Sequence, residues 1–266
     1  MSSRALIPLP PTGKHLFPVL HMVQPEGTTG FAAVQAHSLA QATLAVSCGV
    51  SGLAFIGASF TTAECLAAAT AVAAAFPELP IIINFMCPVL QALESVPAWA
   101  HLWTDKGVDA TGVHPQVQAA AAHRRADWGG TWLCGLWHKG SRRDFTLPEA
   151  AFAAAVASVL PLTRTPVTSG AGTGTPPVLE ELARLRSALP PDARLACASG
   201  ITLENVHPLL PHLDLFLVAT GIEEAPTDPA VIEFYQACQL PAAKYGYLDR
   251  GKTQALAAAL AAASAQ

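Results

Sequence analysis

Residues 195–223 read LACASGITLENVHPLLPHLDLFLVATGIE. Two short apolar runs, Arg194–Ala198 and Leu215–Ala219, each stop at a small polar turn: Ser199-Gly200-Ile201-Thr202 after the first, Thr220-Gly221-Ile222 after the second. Just upstream, Pro166–Ser169 runs into Gly170-Ala171-Gly172-Thr173-Gly174. Three successive apolar runs therefore end in glycine turns. Turns of this kind after the last strands of an eight-stranded β/α barrel are where such barrels grip phosphate, because backbone N–H groups there point at the anion.

The same alternation extends back to the start of the chain. Further strands are expected at Pro18–Val23, Leu53–Ile56, Ile81–Phe85, Val108–Val113 and Trp132–Trp137. Ile81, Ile82 and Ile83 are consecutive β-branched residues, as in strands buried on both faces of a parallel sheet. Helices are expected at Phe31–Cys48 (stopped by Gly49), from a cap at Thr61 or Thr62 to Phe76, and at Pro97–Lys106, Gln116–Arg125, Leu147–Leu160, Pro176–Leu189, Glu204–Leu210 and Asp228–Cys238. Strand and helix thus alternate eight times, which points to an α/β fold of the (β/α)8 TIM-barrel type with a phosphate-binding C-terminal half. A doubly wound open sheet is the rival. Residues 1–266 are expected to form one domain, with 1–16 an N-terminal extension and 251–266 a C-terminal helix.

Composition supports a large core and excludes several classes. Apolar residues make up 52% of the chain and charged residues 13%, with a formal net charge of −4. That leaves no basic field for nucleic acid. The longest uncharged stretch, Gly27–Ala63, is broken by Ser, Gln and Gly, so no membrane span is expected. The first residues lack the apolar core of a signal peptide. Cys48, Cys65, Cys87, Cys134, Cys197 and Cys238 form no C-x-x-C pair, and most lie in apolar runs. They read as reduced thiols of a cytoplasmic protein.

Chemistry in a barrel comes from the C-terminal ends of its strands. Those ends carry His21, Ser59, Asn84, His114, His138 with Lys139, Thr168 with Ser169, Ser199 and Thr220. His21, Asn84, His114 and His138 are the candidate catalytic residues, since neutral histidine suits acid–base work near pH 7. Each has a plainer role: a core histidine bonded to backbone, a loop cap, a turn former. Ser169, Gly170, Gly172, Ser199, Gly200, Thr220 and Gly221 are the candidate phosphate-binding residues. Of His138 and Lys139 only one is expected to face the mouth, and histidine is favoured. Lys139 is alternatively a Schiff-base lysine, or part of a solvated cluster with Arg142 and Arg143. No metal site is expected, because there is no H-x-H and no Asp or Glu ends a strand at the mouth. Asp109 and Asp214 are read at strand starts. No G-x-G-x-x-G follows an early strand, so no dinucleotide cofactor is expected.

Several segments resemble the BtpA/SgcQ family of barrels. HMVQPEG (21–27) is similar to that family's opening strand, and CGVSGLAFIG (48–57) to its G-G-x-D-G segment. LPIIINF (79–85) places Asn84 at the family's asparagine, and LWHKG (136–140) places His138 at its histidine. TPVTSGAGTGTPP (165–177) resembles its V-T-G-x-x-T-G turn, and SGITLENV (199–206) is the closest match. The chain departs from the family after strand two, where Ile56-Gly57 replace an acidic residue, and after strand eight, where Glu223 and Glu224 stand in place of a lysine. The resemblance spans about Pro18–Glu223. It implies a phosphate-type barrel, with one relative tied to photosystem I accumulation, and it brings no settled reaction.

The expected function is an enzyme acting on a phosphorylated small metabolite, a sugar phosphate or nucleotide, by cofactor-free isomerase, lyase or transferase chemistry. The alternative is a non-catalytic sensor or assembly factor. A homo-oligomer is compatible with both. Bulky substitution of Gly200 or Gly221 is expected to remove ligand binding from a folded barrel, and His138→Ala to remove turnover.

Overall fold

A computed structural model describes residues 4–237 and 243–265. Eight parallel strands close on themselves: β1 (His15–His21), β2 (Leu53–Ile56), β3 (Ile81–Asn84), β4 (His101–Asp109), β6 (Trp132–Leu136), β7 (Val167–Ser169), β8 (Ala196–Ala198) and β9 (Leu215–Val218). Each pairs with the next, and β9 returns to β1 with Pro18 opposite Val218. The short β5 (Gly112–Val113) only folds back antiparallel on the end of β4. The connecting helices are α1 (Phe31–Ser47), α2 (Thr62–Ala75), α3 (Val89–Ser95), α4 (Pro115–Ala121), α5 (Glu149–Ala157), α6 (Leu179–Ala188) and α7 (Pro229–Ala237). A terminal α8 (Arg250–Ser264) follows, its N-terminus capped by the Asp249 carboxylate accepting from the Lys252 N–H. Cys238, the expected end of the last barrel helix, lies outside the described residues.

Because strand side chains alternate, each strand contributes to two cores. One face packs against the helices. The other fills the barrel with Phe17, Val19, Ala54, Ile82, Trp103, Leu133, Val167, Ala196, Leu215 and their neighbours. Stepping two residues beyond that filling reaches the mouth: His21 after Val19, Asn84 after Ile82, Asp105 after Trp103, Ser169 after Val167. The opposite end is closed by the N-terminal segment. Leu9 is buried in the inner core, Arg194 donates to the Pro10 carbonyl, and His101 Nε2 lies 2.9 Å from the Ile7 carbonyl.

The fourth strand corrects the sequence reading. Pro97–Lys106 was expected as helix and Val108–Val113 as strand. Instead α3 ends at Ser95 and β4 runs from His101 to Asp109. Local pattern in AWAHLWTDKG suits either element. The gap between β3 and β6 decides it, since Ile82 pairs with His101 and Leu102 with Trp132. Asp109 therefore ends a strand rather than starting one, and its carboxylate holds the β4–β5 hairpin through Thr111 and the Arg142 N–H. The expected helix Glu204–Leu210 is only a 3-10 turn at His207–Leu209.

His101 carries a pH prediction. Burial pushes its imidazole down to about 4, against the pull of the Ile7 carbonyl. The folded state therefore keeps it neutral while the unfolded chain protonates it near 6.5, so stability is full above the unfolded value and falls as pH drops toward 4. Between pH 7 and 4 this one site is expected to remove about 3 kcal/mol. Denaturant titrations of the wild type and His101→Gln should show that the glutamine variant loses about one proton's worth of this slope. An unchanged slope would assign the acid sensitivity elsewhere.

Candidate active site

Asp105 reaches the mouth through a break in sheet register. Thr104 pairs with Cys134, but the next pair is Gly107 with Gly135, so Asp105 and Lys106 bulge from β4. Bulges re-aim side chains in this way. Two glycines permit it. A Cβ on Gly107 would lie 1.9 Å from the Gly135 carbonyl oxygen, and one on Gly135 would lie 2.0 Å from that of Asp105. Thr104 Oγ1 donates to the Lys106 carbonyl at 2.9 Å and accepts from Trp132 Nε1, so the bulge is bonded from inside.

Asn84 then orients the carboxylate. Its Nδ2 donates to Asp105 Oδ1 at 3.0 Å, and its Oδ1 accepts the Met86 N–H at 3.0 Å. The second bond fixes Met86 in a left-handed turn, φ 53°. Behind Asp105 stands His138, fully buried, with Nδ1 at 3.4 Å from the Lys139 carbonyl and Nε2, which has no hydrogen-bond partner, at 3.9 Å from Asp105 Oδ1. Burial holds this imidazole below its ordinary pKa, with the Asp105 carboxylate pulling the other way. His138 therefore stays neutral behind the carboxylate.

The chain turns sharply at Trp137, φ 48°. The strand alternation breaks there: Trp137 packs outward on Phe152, His138 is buried edge-on to Trp103, and Lys139 emerges into the mouth. The sequence reading favoured His138 for the cavity; Lys139 is the residue that lines it. The Lys139 N–H donates to Ser169 Oγ at 2.7 Å, and its Nζ donates to Thr173 Oγ1 at 3.2 Å.

On the opposite wall His21 Nδ1 lies 3.4 Å from Glu223 Oε1. Glu223 is buried, and Oε1 also accepts the Gly246 N–H at 2.9 Å, while Oε2 has no partner. A carboxylate at Nδ1 favours the tautomer that carries its proton there and leaves Nε2 as the basic atom. The Tyr245 ring packs on the imidazole, with centroids 4.4 Å apart.

His21, Asp105, Lys139 and Tyr245 line a cavity of about 310 Å³ whose lower walls are Val19, Ile56, Trp103 and Leu217. A second cavity of about 250 Å³ adjoins it, lined by Thr202, Glu204 and Lys252. Gly174, Gly200, Thr220 and Gly221 line both. The Ser199–Val206 turn owes its shape to Asn205, whose amide donates to the Gly200 carbonyl and accepts from the Thr202 N–H. Ser199 and Gly200 both have positive φ, 92° and 64°.

The remaining expected site residues lie outside these cavities. His114 caps α4, its Nδ1 accepting the Gln116 N–H at 3.2 Å. Ser169 is buried and bonded to the Gly170 carbonyl and the Lys139 N–H. Gly170 packs against the Thr175 backbone, Gly172 lines neither cavity, and Ser59 is in an exposed turn. Asp105, Glu223, Tyr245 and Lys252 were missed. The period-two series His101, Trp103, Asp105 was the available signal for the first of these, hidden by the helix reading. No carboxylate was expected at the mouth, yet Asp105 lines it from the bulge within β4. Among the described residues, no group of three or more His, Cys, Asp or Glu could hold a metal ion.

The glycine turns also change one expectation. A Cβ on Gly200 would sit 2.2 Å from Pro176 N, and one on Gly221 would sit 1.9 Å from the Ile201 oxygen. Both neighbours are backbone. Gly200→Val is therefore expected to lower stability itself, by about 2 kcal/mol or more, rather than leave the barrel intact. A thermal melt matching wild type would show that the loops yield.

No family model matches the chain, and no curated protein matches it in sequence. Solved structures do match it in shape. (S)-3-O-geranylgeranylglyceryl phosphate synthase from Thermoplasma acidophilum, in complex with its substrate sn-glycerol-1-phosphate, superposes with TM-score 0.54 at 16% identity, covering 78% of this chain and 85% of that one. Tryptophan synthase from M. tuberculosis gives TM-score 0.52 at 16% identity over 94% and 93%. A native KDPGal structure gives 0.54 at 14% over 85% and 96%. These likenesses and the closed sheet define the protein as a TIM barrel. No helix among the described residues is long and apolar enough to cross a membrane.

Proposed function

We propose that this barrel is an enzyme acting on a phosphorylated small metabolite by acid–base chemistry of its own side chains. The observation that carries this reading is the pair of adjoining cavities with a common glycine wall. The shallow one holds the phosphate against the turns at Gly174, Gly200, Thr220 and Gly221, with Lys252 supplying positive charge. The deep one holds the reacting end between His21, Asp105 and Lys139. His21 Nε2 is the proton acceptor, kept in that tautomer by Glu223. Asp105, oriented by Asn84 and backed by neutral His138, handles the proton on the other side. Isomerase, lyase and transferase steps can each use such a pair.

Kinship with the BtpA/SgcQ barrels belongs to the same proposal. The Asn205 tie gives a physical reason for the Asn in the S-G-I-T-L-E-N-V turn. The substrate sn-glycerol-1-phosphate of the similar Thermoplasma barrel supports a small phosphate ester as the ligand class. A cytoplasmic setting is consistent with Cys48, Cys65, Cys87, Cys134 and Cys197 all being free thiols.

A thermal-shift screen with sugar phosphates, nucleotides and their unphosphorylated counterparts tests the reading. A ligand at a hundredfold its Kd adds about 2.7 kcal/mol to the folded state. Phosphorylated compounds should raise Tm, and Lys252→Ala should weaken the effect. If only unphosphorylated compounds act, the phosphate assignment is wrong.

A further inference from the structure

We propose that the deep cavity takes the aldehyde or ketone carbon of a phosphorylated compound, and that Lys139 Nζ captures it as an imine. This rests on the phosphate reading for the anchored end and adds the chemistry of the other end. Lys139 is the only lysine that lines the deep cavity among the described residues. The other four lysines are occupied elsewhere. Lys14 pairs with Asp214, Lys244 pairs with Glu26, Lys106 donates to Gln116, and Lys252 donates to the Glu223 carbonyl. Lys139 Nζ has a neutral hydroxyl partner, Thr173 Oγ1, and no carboxylate within ion-pair distance among the described residues. An amine so held is free to leave its partner and attack.

Position supports the same role. Lys139 follows β6, which stands four strands from β1 in either direction around the ring. It therefore faces His21 across the barrel axis. Its backbone is fixed on both sides, by the Trp137 turn and by the Ser169 hydroxyl, so the side chain has one course into the mouth. The apolar floor of Val19, Ile56, Trp103 and Leu217 disfavours hydration of a carbonyl lodged there.

The step balances within the site. The ammonium of Lys139 gives a proton to Asp105 or His21, and the free Nζ pair attacks the carbonyl carbon. The C–O π pair becomes a hydroxyl by taking a proton back from the same groups. The same groups carry a second proton from Nζ to that hydroxyl, which leaves as water while the remaining nitrogen pair forms the C=N bond of the iminium. One ammonium and one carbonyl thus give one iminium and one water. The positive nitrogen then draws electrons from the neighbouring C–H bond, whose proton His21 Nε2 is placed to accept.

The test is reductive trapping on the full chain. Wild-type protein is incubated with dihydroxyacetone phosphate or with dihydroxyacetone, sodium borohydride is added, and lysine-containing peptides are quantified by mass spectrometry. Hydride reduces the iminium to a stable secondary amine. The phosphate ester should label Lys139 at least about tenfold above the mean of the other lysines, and inorganic phosphate should suppress that labelling. Lys139→Arg should lose the adduct. Labelling spread over the lysines in proportion to exposure, beside a normal thermal shift, overturns the imine and leaves the phosphate reading standing. Selective labelling of Lys139 by both compounds, unaffected by phosphate, keeps the imine and removes the phosphate anchor.

Discussion

Gly135→Val is expected to destabilise the protein by about 3 kcal/mol or more and to dismantle the Asp105 side of the mouth. The added Cβ would lie 2.0 Å from the Asp105 carbonyl oxygen and 2.7 Å from its carbon. Neither atom belongs to a flexible side chain. Relief requires β4 and β6 to separate, which breaks the pairing that resumes at Gly107 and Gly135 after the bulge. For a chain of this size the melting temperature should fall by roughly 10 °C. Gly140→Ala is the control. It has positive φ but open space around the position, so its cost is conformational, on the order of 1 kcal/mol. If both variants melt alike, close approach at the bulge is not what demands glycine.

His21→Ala is expected to lower kcat by about a thousandfold on whichever phosphorylated compound stabilises the protein, with binding changed by no more than about threefold. In the proposed arrangement the imidazole meets the reacting end, whereas the glycine turns and Lys252 grip the phosphate. Glu223→Gln should fall between the two. Its amide still reaches Nδ1, but the buried negative charge that stabilises the protonated imidazole is gone. A loss of about tenfold to a hundredfold in kcat is expected, with KM little changed. Circular dichroism should show both variants folded. If His21→Ala turns over at the wild-type rate, the catalytic base is elsewhere, and Asp105 is the next group to test.

Much of the barrel is legible in the chain because its interior is built from local patterns. Runs such as Leu53–Ile56 and Ile81–Asn84 are too apolar for anything but strands covered on both faces. Glycine turns after β7 and β8, with the Thr220–Ile222 turn after β9, mark the mouth without any knowledge of packing. His21 and Asn84 follow from reading the C-terminal ends of their strands. The fourth strand was not legible, since residues 97–106 satisfy helix and strand rules alike, and only the neighbours β3 and β6 choose between them. With that strand misplaced, Asp105 could not be seen at the mouth.

Sequence by itself determined the repeat of strand and helix, the number of strands, and the glycine turns that shape one wall of the mouth. Those are consequences of side-chain periodicity and backbone freedom, which act within a few residues. Tertiary structure decided which groups face the cavity. The register shift at Thr104–Gly107 turned Asp105 inward, and the left-handed turn at Trp137 buried His138 and presented Lys139. The closure of β9 on β1 brought Glu223 against His21, 202 residues away in the chain. Each of these depends on backbones from distant segments approaching within a few ångströms, a constraint that no local stretch of sequence carries.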